Sequence, residues 1–165
     1  MAYLLDANVF IQAKNLHYGM DFCPAFWDWL IQANGAGRVF SITMVRDEML
    51  GHQDELAQWT QSAPQGFFLM PDPTVVPALN RVSAWAFNEP LYTPAARNTF
   101  LQVADHLLVA TAVAHGHVVV THEISSNSPN KIKIPNACIA LGVEPITPYQ
   151  MLRREHARFV LGQHP

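Results

Sequence analysis

The feature that most constrains the fold is the run Val118-Val119-Val120-Thr121, unbroken and wholly β-branched. Branched side chains are stiff at χ1 and suit a pleated surface. A run with no polar alternation belongs to a strand covered on both faces, and such strands sit in parallel sheets between layers of helices. The preceding segment agrees. Ala104 to His115 is a helix-forming stretch rich in alanine and leucine, and Gly116 stops it.

Neighbouring strands are readable in the same way. Tyr3-Leu4-Leu5 predicts a first strand ending at Asp6, and Val39-Phe40-Ser41-Ile42 a second. A helical stretch follows Asp6. Pro24 to Asn34 predicts another helix, carrying Phe26, Trp27, Trp29, Leu30 and Ile31 up to the stop at Gly35-Ala36-Gly37. Thr43 is placed to cap a helix over Met44 to Leu50, and Gln53 to Gln61 is weakly amphipathic. Phe67 to Met70 reads as a short strand or a packed loop. Asp72-Pro73 and Thr93-Pro94 both read as an N-cap followed by proline, opening helices toward Phe87 and over Ala95 to Gln102. Ile124 to Pro135 is a polar loop, and Pro145-Ile146 predicts an edge strand. Thr147-Pro148-Tyr149-Gln150 is a capping box that starts a last helix toward Leu161. The expectation is a three-layer α/β/α fold with a central parallel sheet, a single domain over residues 1–165.

Composition removes several function classes. The chain is 50% hydrophobic and 14% charged, below the charged fraction of about a quarter in ordinary domains, which argues against disorder. No apolar run approaches the ~20 residues of a membrane span. The first residues lack the basic lead of a signal peptide, and Cys23 and Cys138 fit neither a disulfide scaffold nor a zinc spacing. The expected location is cytoplasmic. Ten Lys and Arg against 13 Asp and Glu give a net charge of −3, so any binding of nucleic acid must come from a local patch.

In open parallel sheets, ligands bind beyond the carboxyl ends of the strands. Asp6 ends the first strand, Glu123 lies just past Thr121, and Asp105 opens the helix that feeds the Val118 strand. Glu48 lies on the helix after the second strand, on the stripe carrying Val45 and Met49. A carboxylate on such a stripe costs several kcal/mol unless it is paired or metal-bound. Four converging carboxylates repel one another, and a divalent cation relieves the repulsion. Oxygen ligands select Mg²⁺ or Mn²⁺ over zinc. Each acid also has a plainer reading. Asp6 can cap the helix after it, Asp105 can favour its helix dipole, Asp47 competes with Glu48 for the inward direction, and Glu123 can be a solvated loop acid.

Leu4-Leu5-Asp6-Ala7-Asn8-Val9-Phe10 resembles the opening of PIN-domain nucleases. Ser41 to Glu48 is similar to that family's second-acid segment. Asp105-His106-Leu107-Leu108-Val109-Ala110-Thr111-Ala112, with Gly116 and the Val118 strand, is similar to its third-acid helix and following strand. Phe26 to Leu30, Thr121-His122-Glu123 and Lys131 to Cys138 further resemble a prokaryotic PIN-like subfamily. The resemblance implies that Asp6, Glu48, Asp105 and Glu123 are catalytic, metal-binding acids, with Asn8 and Thr121 as polar groups behind them. It departs at Glu123, where the family more often has Asp, and in lacking a further acid in Ile124-Ser125-Ser126-Asn127.

The implied activity is an endoribonuclease using Mg²⁺ or Mn²⁺, in many members the VapC-like toxin of a toxin–antitoxin pair. The implied chemistry is metal-assisted phosphodiester hydrolysis, with RNA as substrate and an antitoxin protein as a further partner. Lys131 and Lys133, then Arg46, are the candidate RNA-binding residues at phosphates, against a solvated-loop reading.

A homodimer is also expected, with the aromatic Phe22 to Leu30 segment as its contact surface. His115, His117 and His122 show no zinc-like set; they read as surface residues, with His122 near enough to Glu123 to touch a phosphate. Of Trp27 and Trp29, which diverge on a helix, one belongs to the core. Arg153, Arg154 and Arg158 read as a basic face of the last helix. The rival function is a PIN-like protein-binding scaffold without catalysis. A haloacid-dehalogenase-type phosphatase is disfavoured because position 8 is Asn8, not a second Asp.

Overall fold

The computed structural model describes residues 1–162. Among them the strands are β1 (Tyr3–Leu5), β2 (Val39–Ile42), β3 (Phe68–Leu69), β4 (Val118–Val120) and β5 (Pro145–Ile146). The helices are α1 (Ala7–Gln12), α2 (Pro24–Gly35), α3 (Thr43–Leu50), α4 (Glu55–Ser62), α5 (Val75–Asn88), α6 (Pro94–Gln102), α7 (Ala104–His115), α8 (Ile134–Ala140) and α9 (Pro148–Arg154). A π-helical segment, Ala13–His17, continues α1.

The five strands form one all-parallel sheet in the order β3-β2-β1-β4-β5, flanked by helices in a three-layer α/β/α fold. The chain winds outward from β1 through β2 to β3, then returns to the other side of β1 with β4. The connections leaving β1 and β4 therefore diverge, and the crevice between them is the switch point where such sheets bind ligands. The register pairs Leu5 with Val120, so Asp6 and Thr121 emerge side by side from adjacent strand ends.

The reason for this order is burial. Leu4, Leu5, Val119 and Val120 are fully buried, which central strands allow and edge strands do not. The helices that carry the switch point are well defined. Gly116 at φ 68° ends α7 in the left-handed conformation that glycine tolerates. Thr93 Oγ1 accepts from Ala96 N at 3.1 Å to cap α6, and the Thr147–Gln150 capping box opens α9.

Several sequence expectations are corrected. Thr43 is the first residue of α3 and makes no capping bond; Ile42 occupies the cap position. Asp72 accepts from Thr74 N at 2.8 Å, but this closes a turn, and α5 begins only at Val75. The last helix stops at Arg154, so Arg158 lies outside it, while Arg154 pairs with Glu144. The short helix α8 replaces the end of the polar loop expected from Ile124. Trp27 is the buried tryptophan, donating Nε1–H to Tyr18 O at 2.7 Å. Phe26, Trp27 and Leu30 all turn inward, leaving Phe22 as the exposed bulky residue of the expected dimer segment. Among the described residues no helix is long and apolar enough to cross a membrane.

Candidate functional site

Asp6 is the pivot of the switch point. Its backbone N–H donates to Val120 O at 3.0 Å, which fixes it where β1 ends. Its side chain is 5% exposed, and although Asp6 occupies the N-cap position of α1 it makes no side-chain capping bond there. The carboxylate is held instead from β4: Thr121 Oγ1 donates to Asp6 Oδ2 at 2.9 Å. Thr121 Oγ1 in turn accepts from Asn8 Nδ2 at 3.2 Å and from Glu123 N at 3.1 Å. Asn8 Oδ1 accepts from His122 N at 3.1 Å, which ties the first turn of α1 to the chain leaving β4.

A cavity of ≈ 470 Å³ opens beside Asp6, and Glu48, Asp105 and Glu123 line it too. The four acids come from four places in the chain: the end of β1, the last turn of α3, the first turn of α7 and the loop after β4. Their charges act on one another. Burial, then the Asp105 charge, pushes the pKa of Asp6 up to about 7, against the lowering effect of the Thr121 bond. Burial, then the Glu123 charge, pushes that of Asp105 up to about 6, with Glu48 adding and Lys131 opposing.

The structure distinguishes Glu48 from Asp47. Glu48 lines the cavity, whereas Asp47 pairs with Arg46 at 3.1 Å on the outside. Glu48 is nevertheless exposed, so it stands at the mouth and does not bear the burial cost expected of the core-facing stripe. Glu123 is committed elsewhere as well. Oε2 accepts from Ile134 N at 2.7 Å, satisfying a free N–H of the first turn of α8, and Oε1 pairs with Lys131 Nζ at 3.3 Å. Among the described residues no three His, Cys, Asp or Glu side chains stand close enough together to hold one ion as they are.

The predicted cations divide. Lys131 lines the cavity in its pair with Glu123; Lys133 precedes α8 and does not line it; Arg46 belongs to a different groove beside β3. The cavity's apolar wall, made by Ile11, Ala96, Phe100 and Ile132, has no sequence signal, because only the tertiary fold brings α6 over the strand ends. His115 pairs with Asp72 at 3.0 Å, and His117 Nδ1 accepts from Ala2 N at 3.2 Å, so both lie away from the carboxylates. Cys138 is buried, and burial pushes its thiol up to about 12, leaving it a packed, unreactive residue.

Residues 3–159 match the model of a family described as a domain of unknown function, DUF4411. No curated protein and no solved structure matches the chain.

Proposed function

The chain belongs to the DUF4411 family, and we propose that it is a Mg²⁺- or Mn²⁺-dependent endoribonuclease. The observation that carries this reading is one cavity at the sheet's switch point lined by four carboxylates, two of them with pKa values raised to about 7 and about 6 by burial and by neighbouring acids. An arrangement that opposes its own ionisation favours a divalent cation, and an all-oxygen donor set suits Mg²⁺ or Mn²⁺. Perturbed acids in a cleft also mark functional sites in general.

Asp6, Asp105 and Glu48 are the residues that would hold the ion. Beyond the Thr121 bond, Asp6 and Asp105 accept from backbone N–H groups, of Ala7 and of Asp105 itself, and keep lone pairs for an ion. Bound there, the ion supplies Lewis-acid charge that activates water and offsets the charge on a leaving oxygen. The protein's own part is orientation and exclusion. Thr121 fixes the Asp6 carboxylate, Asn8 fixes Thr121, and Ile11, Phe100 and Ile132 keep bulk water from the inner wall. The toxin role, with an antitoxin protein as partner, rests on the resemblance to PIN-domain nucleases alone.

The engaged oxygens of Glu123 favour the second reading, a PIN-like scaffold that binds a protein without cutting RNA. One experiment separates the two: incubation of a mixed RNA pool with the purified protein in Mn²⁺, Mg²⁺ or EDTA, beside the Asp6→Asn variant. Metal-dependent cutting that is lost in the variant supports the ribonuclease. Absence of both cutting and Mn²⁺ binding supports the scaffold.

A further inference from the structure

A site built of carboxylates repels the polyanion it is meant to cut, so phosphate-holding donors must lie close by. The cations around the cavity are poor candidates. Lys131 is paired with Glu123, and Arg46 is paired with Asp47 beside a different groove.

A separate set of donors lies at the same end of the sheet, on the far side of Asn8. His17 closes the π-helical segment, His122 follows Thr121, and Tyr149 sits in the first turn of α9. Their rings cluster, with centroids 5.2 Å apart for His17 and His122, 5.6 Å for His17 and Tyr149, and 5.7 Å for His122 and Tyr149. The Tyr149 hydroxyl lies 3.2 Å from Nδ1 and 3.1 Å from Nε2 of His17. All three residues are half-buried, so the cluster is fixed in place yet open to solvent.

Two features give the cluster a ligand. Neither imidazole has an acidic partner among the described residues, in contrast to His115, whose ring pairs with Asp72. Arg153, on the same helix as Tyr149, is exposed and makes no ion pair among the described residues, and its charge reaches Tyr18, whose ring lies 6.3 Å from His17. Imidazole N–H and phenol O–H are donors, and together they suit an anion. Asn8 couples this set to the carboxylates, since its amide bonds Thr121 on one side and the His122 backbone on the other.

We infer that His17, His122 and Tyr149 anchor a phosphodiester group of the RNA strand next to the one being cut. The inference rests on the ribonuclease reading. An anchor of this kind positions the strand and leaves the chemical step alone, so its removal raises KM and spares kcat.

The test compares the wild type with His17→Ala/Tyr149→Phe, and with His122→Ala as a second variant, in Mn²⁺ on a single-stranded RNA. The expected result is a KM raised about tenfold, as removal of one or two charge-assisted hydrogen bonds requires, with kcat within about twofold. Thermal melts confirm that the variants are folded; if the double variant is not, Tyr149→Phe and His17→Gln are measured singly. An unchanged KM in folded variants of an RNA-cutting wild type overturns the anchor alone. A wild type that neither cuts nor binds RNA overturns the ribonuclease reading, and the anchor with it.

Discussion

The Thr121 hydroxyl has a single proton, and it points at Asp6. Asn8 Nδ2 and Glu123 N both donate to Thr121 Oγ1, which leaves the O–H free to donate to Asp6 Oδ2 at 2.9 Å. The bond favours the ionised carboxylate in a site whose burial disfavours it. Thr121→Val keeps the shape and removes the bond. It should cost about 1–3 kcal/mol of stability at pH 8, because a buried carboxylate and two N–H donors are left without their partner. At pH 5 the cost should be smaller, since Asp6 is then protonated. Chemical denaturation at the two pH values checks this, and equal costs would mean that Asp6 does not respond to the hydroxyl.

Metal-free protein should become less stable as pH rises across the neutral range. The pKa of Asp6 is raised from 3.8 to about 7 and that of Asp105 from 3.8 to about 6, so between these values the folded state holds more protons than the unfolded chain. Stability then falls with pH from about 4 until each group has ionised near its folded pKa. Burial lowers His106, His117 and His122, which works in the opposite sense near and below 6.5. The contribution of Asp6 is therefore isolated as a difference. Asp6→Asn should have the flatter stability profile between pH 5 and 8 and should be the more stable protein at pH 8. Denaturation midpoints across that range measure both, and a variant less stable than wild type at pH 8 would count against mutual repulsion.

The positions of the polar residues at the strand ends are legible because burial writes itself into the strands. Leu4-Leu5 and Val118 to Val120 are apolar without alternation, so Asp6 and Thr121 stand out where they end. What cannot be read depends on contacts across the fold. α8 has only seven residues, and its first turn is satisfied by Glu123 from eleven residues away, a cap no local pattern contains. Glu48 and Asp47 are adjacent on α3, and only the position of α3 over the cavity separates their roles. The His17, His122 and Tyr149 cluster joins three distant segments, so the three residues have no common signature in sequence.

A divalent cation should stabilise the wild type and not the variants of its ligands. Binding to the folded state alone contributes RT ln(1 + [L]/Kd), about 2.7 kcal/mol at a hundredfold excess over Kd. For a chain of this size that raises Tm by roughly 5–10 °C. Asp6→Asn and Asp105→Asn should show little of that shift, although each should melt no lower than wild type in EDTA. Thermal scans with Mn²⁺ and with EDTA decide it. An absent shift in the wild type would remove the metal from the proposed site.

Glu123 should differ from the other three acids. Its Oε2 accepts from Ile134 N at 2.7 Å and its Oε1 pairs with Lys131 Nζ at 3.3 Å, so its carboxylate is oriented by α8 and Lys131 and not by the other three acids. Glu123→Gln retains a carbonyl oxygen for the α8 N–H and removes the ion pair, in which Lys131 is the exposed partner, worth about 0–1 kcal/mol. Its Mn²⁺ affinity should stay within about threefold of wild type, whereas that of Asp6→Asn should fall at least about tenfold, or about 1.4 kcal/mol. Glu123→Ala should destabilise the protein by about 1–2 kcal/mol through the unsatisfied first turn of α8, a cost comparable to removing a helix cap. Calorimetric titration of Mn²⁺ and denaturation of the same samples separate the two effects. A Glu123→Gln protein whose Mn²⁺ affinity falls as far as that of Asp6→Asn would make Glu123 a ligand, released from α8 when the cation binds.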